Sequence, residues 1–154
     1  MPAGLLPDEG IADQLAYILQ KSISGVLPWQ LMLFINDIDI THATVLDDLE
    51  EASFGGYMRL TMDRNDWVIG TPSNGCVHAT WQSTAQVWYN TSGPAQTIYG
   101  YAYIDTTLGV IRFAQRFDDE DIAELPVGGR ILLLPEYTLT SAACASPPWS
   151  PPPP

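Results

Sequence analysis

Lysine is almost missing from this chain. Lys21 stands alone beside five arginines and 18 acidic residues, leaving a net charge of −12 and a pI near 4.1. Such a field repels phosphate backbones and argues against nucleic-acid binding. It also leaves no polybasic route to anionic lipids. Cysteine and histidine are equally scarce, at two each. Cys76 lies in the apolar run CVHATW, where a free cysteine behaves as a small core hydrophobe. Spacing alone neither makes nor excludes a bridge from Cys76 to Cys144. His42 and His78 come without a CxxC or HxxxH partner, which leaves zinc short of ligands and a Cys–His nucleophile short of a third group. GxSxG, GxxxxGK and GxGxxG do not occur, so serine-hydrolase and phosphate-loop chemistry lack their signatures. No apolar run approaches the roughly 18 residues of a membrane span. The start lacks the charged and apolar regions of a secretory signal, so synthesis and assembly in a cytoplasm are expected.

What is present suits one globular domain of 154 residues, 46% hydrophobic and 10% aromatic. Pro7, Asp8 and Glu9 form a helix opening, because proline fits the first turn and carboxylates favour the positive dipole end. Ile11, Leu15, Ile18 and Leu19 follow at helical spacing, with Lys21 and Gly25 as stop signals, predicting an amphipathic helix over about 8–22. WQLMLFIN then reads as a strand covered on both faces, with Leu31, Leu33 and Ile35 on one side and Met32 and Phe34 on the other. A short helical turn is expected within 45–52, then strands at 57–62, 66–69, 75–81, 85–89 and one along RILLLPEYTLT. Pro135 marks an edge or bulge in that last strand. Many short strands and one helix predict a mainly β fold, an antiparallel β-sandwich of jelly-roll or Ig-like kind over 1–140.

Residues 96–117, QTIYGYAYIDTTLGVIRFAQRF, form a hairpin. With Asp105 facing Val110, one face pairs Ile104 with Ile111, Ala102 with Phe113 and Ile98 with Phe117. The other pairs Tyr103 with Arg112 and Tyr99 with Arg116, with Tyr101 between them. Tyrosine and arginine are enriched where proteins meet, so Tyr99, Tyr101, Tyr103, Arg112 and Arg116 are the candidate interface. The competing reading packs the tyrosines beneath the helix, which would oblige the arginines to find acidic partners.

Carboxylates are dense at Asp118, Asp119, Glu120 and Asp121, and again at Asp37 and Asp39. Without DxDxDG spacing they read as solvated turns rather than a calcium loop. No cofactor and no metal are expected. The proline-rich end, 141–154, holds six of the 13 prolines in its last eight residues. It reads as a polyproline-II arm, either a stiff tail or a strap on a neighbouring subunit anchored by Trp149.

Three segments, GLLPDEGIADQLAYIL, LMLFINDIDI with LDDLEEASFGGYMRLTM, and YGYAYIDTTLGVIRFAQRF, resemble a family of small structural proteins of tailed bacteriophages. The resemblance spans most of 4–117 and does not cover the proline-rich end. It implies a non-enzymatic virion protein, a head cement or decoration protein that forms a homo-oligomer, as a trimer, on the major capsid protein at the outer capsid surface. A tail, baseplate or fibre component shares the fold expectation. A carbohydrate-binding module with Trp67, Trp81 or Trp88 as its platform, and a hydrolase, are the rivals from other classes.

Overall fold

A computed structural model describes residues 15, 16, 18, 19, 26–63, 67–70, 76–81, 86–134 and 136–140. Its strands are β1 (Val26–Phe34), β2 (Leu60–Asp63), β3 (Trp67–Ile69), β4 (Cys76–Trp81), β5 (Gln86–Tyr89), β6 (Gln96–Ile98), β7 (Gly100–Asp105), β8 (Val110–Arg116), β9 (Ala123–Leu125), β10 (Arg130–Leu133) and β11 (Glu136–Thr140). All pairings are antiparallel. The fold is therefore mainly β, and a 3-10 turn at Leu46–Asp48 stands where a helical turn was expected. Of the helix expected over 8–22, the description reaches only Leu15, Ala16, Ile18 and Leu19. There Leu19 N donates to Leu15 O at 2.9 Å, and both leucines are fully buried. The arm 141–154, with Trp149, lies outside the described residues.

The central sheet runs β2-β1-β7-β8, and smaller groups pair β10 with β5, β11 with β4 and β3, and β6 with β9. The alternation in β1 has its expected consequence, because side chains of successive residues leave opposite faces. Leu31 and Leu33 enter one apolar cluster with Tyr101, Tyr103, Trp67, Trp88 and Leu133. Met32 and Phe34 enter a second with Ala102 and Ile104, covered by Ile38, Ile40, Leu46 and Leu49. The central sheet is thus buried on both faces, by smaller sheets on one side and by the 35–52 connection on the other.

The hairpin departs from its expected register. Asp105 faces Val110 and Ile104 faces Ile111 as anticipated, but Tyr103 then faces Phe113, Ala102 faces Ala114 and Gly100 faces Arg116. Arg112 is the extra residue of a β-bulge, and one inserted residue exchanges the two faces of everything beyond it. Phe113 and Phe117 consequently join Tyr101 and Tyr103; Ala102 falls in the other cluster, away from Phe113, while Ile98 shares the cluster of Phe117. Tyr103 stacks on Phe113 at 5.4 Å and meets Trp67 edge-on at 5.6 Å. Such aromatic pairs add about 0.5–1.5 kcal/mol each beyond the area they bury.

Two further corrections concern the last third of the chain. RILLLPEYTLT is two strands rather than one: β10 pairs with β5, while β11 pairs with β4 in another group. A proline between them suits a change of sheet, since it cannot donate to a ladder. Ala123–Leu125, just after the acidic turn Asp118–Asp121 and not expected as a strand, pairs with β6.

The EASFGGY segment is a structural joint. Glu51 accepts from Arg59 Nε and Nη2 at 2.8 and 2.7 Å and from the Tyr57 hydroxyl at 2.9 Å. That hydroxyl also accepts from Leu33 N at 3.2 Å. Gly55 exchanges backbone hydrogen bonds with the Thr91–Ser92 loop, and a Cβ there would stand 2.0 Å from Ser92 Oγ.

Gly100 stands where the central sheet leaves no room for a side chain. A Cβ at this position would lie 2.4 Å from Phe34 Cζ and 2.1 Å from Gln115 O. Gly100→Ala is expected to lower the unfolding free energy by about 1–3 kcal/mol, the usual cost of overpacking a full core. Urea titration followed by tryptophan fluorescence measures this.

Candidate functional site

The expected tyrosine–arginine face does not exist as one surface. Tyr101 and Tyr103 lie in the core at 3% and 0% exposure, and Tyr101 donates its hydroxyl to Gln115 Oε1 at 2.8 Å. Tyr99 is half-buried against the second cluster. The central sheet is covered on both faces, and the bulge at Arg112 places Phe113 and Phe117, rather than the arginines, beside the tyrosines. The competing reading of the tyrosines as core residues describes their surroundings, since Leu15 and Leu19 share their cluster.

Each arginine of the hairpin has acidic partners. Arg112 donates from Nε and Nη2 to Asp105 Oδ2, at 3.0 and 2.6 Å. Arg116 donates to Asp37 Oδ1 from Nε and Nη2, at 3.0 and 2.8 Å, and from Nη1 to Asp119 Oδ1 at 3.0 Å. Asp105 is buried and also accepts from the amides of Thr107 and Leu108 at 3.0 and 3.1 Å, which closes the turn. Burial alone would raise its pKa, but the Arg112 guanidinium and the two amides outweigh burial and hold it below the ordinary value. Glu51 is lowered in the same direction, chiefly by the hydrogen bonds from Arg59.

A groove of about 490 Å³ runs between the 40–44 loop and β8, over Ile40, Ile111 and Ala114. Its polar groups are engaged: Thr44 Oγ1 accepts from Thr41 N at 2.9 Å, Thr41 Oγ1 accepts from Ala43 N at 3.2 Å, and Arg112 is held by Asp105. His42 stands on the rim. The acidic turn Asp118–Asp121 is exposed, with Asp119 turned onto Arg116. Among the described residues no three His, Cys, Asp or Glu side chains are grouped to hold a metal. Trp67 and Trp88 are buried, so neither offers a platform for a sugar; the Trp81 side chain lies outside the description.

Exposed apolar side chains and an arginine share one face of β5 and β10. Arg130 faces Tyr89, Ile131 faces Trp88, and Leu132 faces Val87. Trp88 and Leu133 are buried and Ile131 packs on the core, which leaves Tyr89, Arg130, Leu132 and Val87 on the other side. An outward strand face is ordinarily polar. Here Tyr89 is 53% exposed, Leu132 54%, and Leu134 just beyond the strand 59%. Of the four arginines described, Arg59, Arg112 and Arg116 are ion-paired; Arg130 has no ion pair. An unpaired arginine directly across from an exposed tyrosine, beside two exposed leucines, combines the residue types that dominate protein contacts.

Sequence reasoning passed over this face although one signal was available. A strand turns alternate residues to opposite sides, so the consecutive Leu132, Leu133 and Leu134 could not all be buried by one face. Comparison with known proteins finds no family model, no curated protein and no solved structure that matches this chain.

The carboxylates of Asp105 and Glu51 are depressed in the folded state. Their contribution is therefore complete above the ordinary values of 3.8 and 4.5 and is lost as pH falls through the lower folded values. Chemical denaturation midpoints should stay level from pH 7 to 5 and fall steeply below about pH 4. Asp105→Asn should lower stability at pH 7 and flatten that acid fall; an unchanged acid limb would show that Asp105 does not carry it.

Proposed function

We propose that this chain is a non-enzymatic structural protein of a tailed-phage virion, a capsid cement or decoration protein on the outer surface of the head. It is made in the host bacterial cytoplasm and assembles with itself, as a trimer, and with the major capsid protein. The observation that carries this reading is the apolar, arginine-bearing outer face of β5 and β10. A protein whose work is contact needs a rigid β core and a face of this composition. The resemblance of the three segments supplies the virion context, and the EASFGGY portion of it falls on the joint that ties the central sheet to the 91–92 loop. A charge of −12 suits a protein that coats a particle, since like-charged particles stay apart.

The finer architecture belongs to the same proposal: an antiparallel sandwich of jelly-roll or Ig-like kind over 1–140, with a helix over 8–22 and an arm over 141–154. The two-sided burial of the central sheet and the smaller paired strands across one cluster support two packed layers. The arm, with Trp149, is proposed to lie on a neighbouring subunit, because a proline-rich segment loses little entropy on docking. The contact face is assigned to β5 and β10 instead of the hairpin, since Tyr101 and Tyr103 are core residues and Arg112 and Arg116 are ion-paired. A tail or baseplate position would use the same face on a different partner.

Quantitative gel analysis of purified virions tests this directly. A cement protein is present at hundreds of copies in each particle. A few copies would move the protein to the tail or baseplate, and absence from particles would overturn the virion reading.

A further inference from the structure

We propose that the outer face of β5 and β10 docks on a second copy of this chain, head to tail, with Arg130 meeting Asp47 beside Val45 of the neighbour. This rests on the reading of that face as a protein contact surface. The occupant follows from charge. Copies carrying −12 each repel one another generally, so attraction needs a cationic spot; Arg130 is the arginine without an ion pair among those described. Exposed tyrosine and leucine side chains around it exclude water and strengthen an ion pair formed there.

Symmetry follows from the composition of the face. Val87, Tyr89, Arg130, Leu132 and Leu134 include no carboxylate. A face-to-face dimer would bury two arginines without partners, and an uncompensated buried charge is strongly unfavourable. The carboxylate must come from a different surface of the neighbour, which makes the contact heterologous. Contacts of that kind close into rings when the rotation allows, and three copies form the smallest ring beyond a dimer.

The acceptor is the 45–50 segment. Val45 is 57% exposed, and Asp47 beside it is exposed with no hydrogen bond or ion pair to its carboxylate among the described residues. Asp48, by contrast, is spent on Val45 N at 2.9 Å. The two segments also pack on different faces of the central sheet. Trp88 and Leu133 of the donor strands belong to the cluster on one face of the central sheet. Leu46 and Leu49 of the acceptor segment pack on the cluster at the other face. Donor and acceptor are therefore different surfaces of the protomer, as a heterologous contact requires.

Sedimentation velocity of the full chain at micromolar concentration decides the matter. The wild type is expected to sediment as a closed oligomer. Arg130→Glu, Asp47→Arg and Leu132→Ser should each weaken association by at least about tenfold while leaving the circular dichroism spectrum and the unfolding midpoint in place. The double variant Arg130→Glu, Asp47→Arg should restore it. A monomeric wild type, single variants that still assemble, or a double variant that stays monomeric would each overturn the proposal. A monomer nonetheless abundant in virions would reject this contact and leave the virion reading standing; an oligomer absent from particles would do the reverse.

Discussion

The Asp105 carboxylate organises the hairpin on which the rest of the molecule depends. It accepts from two turn amides and from two nitrogens of Arg112, the residue that bulges out of β8. With the bulge in place, Phe113 and Phe117 fall on the same side as Tyr101 and Tyr103. Without it, the same strands would present phenylalanines beside Ala102 and arginines beside the tyrosines. One inserted residue therefore decides which side chains build the core and which meet solvent.

The consequence reaches the surface through the arginines. Arg112, Arg116 and Arg59 each stabilise an internal joint through a carboxylate, at the hairpin turn, between the hairpin and Asp37, and between Glu51 and Tyr57. Cations used in this way are not offered to a partner. Arg130 is different, standing across from Tyr89 on a strand pair whose inward residues complete the core and whose outward residues are apolar. Core and proposed contact face are therefore two sides of the same β5 and β10 backbone.

Much of this was legible in the sequence where a single physical rule dominated. The alternation of WQLMLFIN predicted its two-sided burial, because a strand has no other way to place Leu31 and Met32. The Asp105–Val110 pairing followed from the turn residues between them. The hairpin faces beyond Arg112 were not legible, since a bulge depends on where Arg112 finds a carboxylate and on how many aromatics the core can accept. Nor could the sequence separate β10 from β11, because sheet membership is settled by distant partners; a proline signals a break without saying what lies beyond it. The outer face of β5 and β10 was not legible, because its residues lie some forty positions apart in the chain and no local pattern joins them. Tyr89 and Arg130 are brought together only by strand pairing.

Hydroxyl-radical footprinting of the isolated chain and of the assembled particle tests the central claim most directly, namely that β5 and β10 carry the contact while the hairpin tyrosines belong to the core. Tyr89 and Leu132–Leu134 should be labelled in the isolated chain and protected on assembly, with Tyr101 and Tyr103 unlabelled in both. Strong labelling of Tyr101 and Tyr103 in the isolated chain that disappears on assembly, with Tyr89 unchanged, would contradict the account.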